Sequence, residues 1–71
     1  MDEWLRDAAE AAGGGVELSA EEERQLLQLA KVAAHTSGAR TNAPLLCYLV
    51  GRLQGDRPLA EVVEDVLRST S

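Results

Sequence analysis

Phenylalanine and isoleucine are absent from this 71-residue chain, and its only aromatic rings are those of Trp4 and Tyr48. A core must therefore be assembled from leucine, valine and alanine, a set that suits close helix packing better than a pleated sheet. Cysteine occurs once, at Cys47, which excludes an internal disulfide. A domain this small in an oxidising compartment usually carries one, so the cytoplasm is the expected location. Histidine also occurs once, at His35. Cys47 and His35 together cannot furnish a four-ligand zinc site within one chain, and no metal or other cofactor is expected. The longest apolar run, residues 43–51, is too short to span a bilayer. The opening Met1-Asp2-Glu3-Trp4 is acidic and lacks the basic-then-apolar order of a signal peptide.

Acidic residues are missing from the middle of the chain. All twelve lie in residues 2–23 or 56–65, whereas Arg24, Lys31, Arg40, Arg52 and His35 fall between. The formal net charge of −5 argues against a nucleic-acid or anionic-membrane surface over the whole domain. The central segment, at +4 by its three arginines and one lysine, either pairs with flanking acids or meets an anionic ligand.

What remains reads as four helices joined by short loops. Residues 2–12 place Trp4, Leu5, Ala8, Ala9 and Ala12 on one face, and Gly13-Gly14-Gly15 ends that helix. No strand precedes these glycines and no Gly-Lys-Ser/Thr follows, so they form a flexible turn rather than a phosphate loop. Ser19 and Glu22 stand at capping-box spacing, opening a helix that runs to about Thr36 with Gly38 beyond its end. Its core face is Leu26, Leu29, Ala30 and Ala33; Arg24, Gln28, Lys31 and His35 form a solvated stripe opposite. A third helix of about residues 43–54 has Pro44 in its first turn and Gly55 as its stop. Leu45, Leu46, Leu49, Val50 and Leu53 cover one broad side of it, and Pro44, Cys47, Tyr48 and Gly51 lie on the other. A helix apolar nearly all round is expected to be enclosed by its neighbours. Asp56 is placed to cap a fourth helix, in which Leu59, Val62, Val63, Val66 and Leu67 repeat at i, i+3, i+4, i+7 and i+8.

The expected architecture is thus all-α, a single helical domain over residues 1–71, forming a compact four-helix bundle or array around a buried third helix. Leu45, Leu49, Leu53, Val50, Val63, Val66 and Leu26 are expected among its most buried residues, with Trp4, Val16 and Leu18 partly uncovered. Cys47 is expected to be a small buried filler that, with Gly51, lets another helix approach. A Cys47–His35 nucleophilic pair has no supporting Asp, Glu or Asn at a telling spacing. The acyl-carrier Asp-Ser-Leu attachment motif is absent, and the apolar third helix cannot serve as a DNA-reading helix. The domain reads as non-catalytic, with a small enzyme using His35 and Arg40 as a further alternative. One candidate site stands out: His35, Arg40, Thr41 and Asn42, beside the first amides of the third helix, as an anion site for a weakly bound phosphate-containing ligand. The bland alternative leaves His35 on the terminal carbonyls of its own helix and Arg40 paired with an acid such as Asp56 or Glu61.

The segments Leu29-Ala30, Val32-Ala33-Ala34-His35, Arg40, Ala43-Pro44-Leu45 and Tyr48-Leu49-Val50-Gly51, with the opening Asp2-Glu3-Trp4-Leu5, resemble a known family. It is a small actinobacterial helical domain of uncharacterised function, found alone or fused to molybdenum-cofactor guanylyltransferases. Its members are often labelled molybdopterin-guanine dinucleotide biosynthesis proteins. Nothing in these 71 residues resembles the nucleotide-binding catalytic domain of such enzymes. The resemblance therefore implies an accessory or binding role near cofactor maturation, with a cofactor-biosynthesis enzyme as protein partner. A stand-alone protein–protein interaction domain is the alternative, and the oligomeric state is left open.

Overall fold

The computed structural model describes residues 1–70 and is built from four helices: α1 (Glu3–Ala11), α2 (Ala20–Ser37), α3 (Asn42–Gln54) and α4 (Leu59–Thr70). No strand occurs among the described residues, and the fold is all-α.

Local chemistry sets the helix ends. Asp2 caps α1 by accepting from the Leu5 amide at 2.8 Å. Ser19 and Glu22 complete the reciprocal box at the start of α2: the Glu22 amide donates to Ser19 Oγ at 3.1 Å, and the Ser19 amide to Glu22 Oε1 at 2.8 Å. Gly38 closes α2 in the left-handed conformation, φ 73°, that only glycine adopts without strain. The fourth helix begins at Leu59, three residues after Asp56, and among the described residues none of its amides donates a hydrogen bond to Asp56. The turn before it is closed instead by the Arg57 amide on the Gln54 carbonyl and by Gln54 Nε2 on the Arg57 carbonyl. At the other end of α4 the hydroxyls of Ser69 and Thr70 bond back to the Val66 and Leu67 carbonyls, so both residues complete the helix rather than fraying from it. Ser71 lies outside the described residues.

The core is small and belongs to three helices. Leu29 from α2 and Val50 from α3 are fully buried, joined by Leu59, Val62 and Val63 from the start of α4. Leu26, Leu46, Cys47, Val66 and Leu67 pack half-buried around them. The α4 repeat therefore buries the stripe its spacing predicts. The third helix does not behave as expected: Leu45, Leu49 and Leu53 are 60%, 52% and 67% exposed, and α3 has Val50 as its one buried residue. The side facing α2 and α4 carries Ala43, Leu46, Cys47, Val50 and Gln54, all buried or half-buried. The reason is a shortage of cover. Two helices wrap one flank of α3, and the remaining one, α1, has no Cα within 8 Å of a Cα on any other helix. Gly51 is exposed with open space around its Cα, so it mediates no close helix approach.

Candidate functional site

Spacings of four residues align Leu45, Leu49 and Leu53 along the outer flank of α3, with Tyr48 and Arg52 as a second row beside them. Tyr48 is 65% exposed, and the Arg52 guanidinium carbon stands 5.9 Å from its ring centroid, within range of a cation–π contact. Next to the leucines lies an open groove of about 390 Å³ between α2, α3 and the end of α4. Ala33, Leu45, Leu46 and Leu49 supply its apolar floor; Thr36, Ser37, Asn42 and Thr70 are the polar lining. The face is consequently apolar in its middle, polar at one end and cationic beside the tyrosine. Grouped exposed apolar side chains of this kind mark contact surfaces.

A second open apolar surface belongs to α1. Trp4 is 74% and Leu5 40% exposed, and Ala8 and Ala12 on the same side are also exposed. Polar links hold the helix in place: the Met1 ammonium lies 3.3 Å from Glu23 Oε2 on α2, and Arg6 Nη2 donates to Glu17 Oε1 at 2.6 Å. The Arg6 bond and charge hold the Glu17 carboxyl below its ordinary value of 4.5. Between α1 and Glu17 the chain passes through Gly13, Gly14 and Gly15, at φ 136°, 69° and 77°. Three successive positive φ values are accessible at low cost only to glycine. Val16, just beyond, is 69% exposed, whereas Leu18 is half-buried.

The structure places His35, Arg40, Thr41 and Asn42 on the surface around the α2–α3 turn, all four exposed. Arg40 makes no ion pair among the described residues; the acid Glu61 is engaged instead by Arg57, which also reaches Asp65 at 3.3 Å. The amides expected to receive an anion are occupied. The Asn42 N–H donates to the Ala39 carbonyl at 3.0 Å and the Ala43 N–H to the Arg40 carbonyl at 3.1 Å, while Pro44 has none. The Thr41 side chain makes no capping bond. The stripe Arg24, Gln28, Lys31 and His35 is exposed throughout, as a solvated face should be.

Cys47 is half-buried and directs its thiol at the Leu26 carbonyl of α2, Sγ to O 3.8 Å, and burial pushes its pKa above the ordinary 9.0. It is a packing residue of the α2–α3 seam rather than an activated nucleophile. Among the described residues no group of three or more His, Cys, Asp or Glu could hold a metal ion, and no helix is long and apolar enough to cross a membrane. Sequence reasoning assigned the α3 leucines to the interior and so missed the surface they form. The wheel of α3 is apolar on both flanks and does not show which of them its neighbours cover.

These features define a small helical domain with a three-helix core and two uncovered apolar surfaces. The chain belongs to the family described as Domain of unknown function (DUF6457), which matches residues 1–71. No curated protein and no solved structure matches it.

Proposed function

We propose that this domain is a non-catalytic docking module that binds another protein through the outer flank of α3. The observation that carries the reading is the row Leu45, Leu49 and Leu53, each more than half exposed, beside an equally open Tyr48. Exposed leucines are ordinary one by one. Aligned with a tyrosine and an arginine, residue types enriched where binding energy concentrates, they compose an interface centre. The sequence resemblance to domains fused to molybdenum-cofactor guanylyltransferases supplies the partner class: an enzyme of that cofactor's maturation. Titration of the isotope-labelled domain with such a guanylyltransferase tests both parts. Amides of residues 45–53 should shift or broaden, and Leu53→Asp should remove the effect while leaving the helical spectrum intact. Unmoved amides at saturating enzyme would end the cofactor link. Changes confined to another surface would end the α3 assignment.

A second ligand class is supported by Arg40, which has no acid partner among the described residues. We propose that Arg40, with His35, Thr41 and Asn42 on the same turn region, meets phosphate-bearing ligands through side chains. The amides of Asn42 and Ala43 are already engaged. Affinity is accordingly weak and salt-sensitive. Addition of phosphate or GMP should move the Arg40 side-chain resonance before the backbone amides. An Arg40 resonance unchanged at millimolar ligand overturns this reading.

A further inference from the structure

We propose that the occupant of the α3 face in the free protein is helix α1 of a second copy of this chain, exchanged reciprocally so that each copy covers the other. The inference rests on α3 being a docking surface and names what docks there.

Four observations lead to it. Both surfaces are uncovered in one molecule, and each lacks what the other offers: α1 presents Trp4 and Leu5, whereas α3 presents a leucine row beside an open groove. Their charges are opposite. Helix α1 with its cap carries Asp2, Glu3, Asp7 and Glu10 against Arg6 alone, whereas Arg40 and Arg52 lie in the acid-free segment that contains α3. Pairing α3 with the α3 of a second copy would instead bring like charges together, because Arg52 is its one charged residue.

The third observation is how α1 is held. The Met1–Glu23 and Arg6–Glu17 contacts fix it to its own chain while Trp4 points into solvent. Insertion into a second copy can keep these contacts, whereas folding back onto its own α3 would require α1 to leave its present position. The fourth is area. Trp4, Leu5, Tyr48 and the three leucines would hide on the order of 600 Å² per copy, near the roughly 800 Å² per partner of a standard interface. Two equivalent contacts related by a twofold axis close the assembly at a dimer and leave no open end.

Trp4 is the only tryptophan in the chain, which makes it a direct reporter. Sedimentation velocity and Trp emission are measured together on the full chain across a wide concentration range. The expected result is a monomer–dimer equilibrium in which emission moves to the blue as dimer forms. Leu49→Asp, at an exposed position, should weaken dimerisation about tenfold or more and leave the helical spectrum unchanged. The deciding arm mixes two variants. Leu49→Asp retains a complete α1, and Trp4→Ala retains a complete acceptor face and has no Trp signal of its own. Adding the second to the first should shift the emission of the first to the blue. A monomer with solvent-exposed Trp4 at every concentration overturns the proposal. So does a blue emission independent of concentration, which indicates folding back, and a dimer whose Trp4 stays exposed, which indicates another interface. A monomer that still binds a protein through residues 45–53 separates failure of this exchange from failure of the docking reading.

Discussion

Leu29 and Leu49 carry the same side chain on neighbouring helices, yet the first is 0% and the second 52% exposed. Truncation should separate them sharply. Leu29→Ala removes a fully packed group and leaves a cavity, a loss of about 2–5 kcal/mol. Against a total stability on the order of 4–10 kcal/mol for a chain of this length, that is a large fraction. Leu49→Ala removes a side chain already half in water, and alanine's better helix propensity offsets part of the loss, so about 1 kcal/mol or less is expected. Urea unfolding followed by far-UV circular dichroism, at dilute protein, compares the two. Equal losses would mean that α3 turns its leucine flank inward in solution.

At the scale of the element, residues with one mechanism were readable from the sequence and residues with two were not. Ser19 and Glu22 form their box because the side chain of each accepts from the other's amide, and Gly38 takes the positive φ that a helix stop needs. The α4 pattern has one apolar side and buries it. Helix α3 has two, and periodicity does not choose between Leu46, Cys47 and Val50 on one flank and Leu45, Leu49 and Leu53 on the other; the position of the covering helices does. That is also why the leucine surface was illegible, since it depends on α1 staying away from the core. At the candidate anion site the helix start was legible, but the turn that occupies the Asn42 and Ala43 amides was not. For α1 one of the controlling contacts, Arg6–Glu17, is polar and titrates at Glu17. The Arg6 bond and charge lower the Glu17 pKa, so this pairing contributes fully above the ordinary 4.5 and is lost as pH falls through the depressed value. Carbon-detected NMR titration should show Glu17 protonating below 4.5, and Arg6→Ala should return it to about 4.5. Acidification should therefore loosen residues 12–19 before it melts α2. An Arg6→Ala variant with an unmoved Glu17 midpoint would show that the pair does not form.

For the whole molecule the same division predicts two kinds of unfolding in one short chain. Helices α2, α3 and α4 share one buried cluster, and loss of any of them exposes Leu29 and Val50. They should melt together, as a single small core does. Helix α1 contributes no buried residue to that cluster and is linked through the exposed Arg6–Glu17 pair, the more covered Met1–Glu23 contact and three glycines. Its opening free energy is then set by those contacts, at the low end of the range for local unfolding. In dilute solution, where the monomer dominates, urea should therefore produce one cooperative loss of helical dichroism, dominated by α2, α3 and α4. Trp4, already 74% exposed, should show little emission change across that transition. Hydrogen exchange adds the residue map: amides within α1 should exchange quickly and those around Leu29 and Val50 should be protected to the global limit. At concentrations that populate the exchanged dimer the two signals should converge, because Trp4 would then be covered by the core whose melting it reports. Coincident transitions in the dilute monomer would place α1 on the core of its own chain, and both uncovered surfaces would cease to exist in solution.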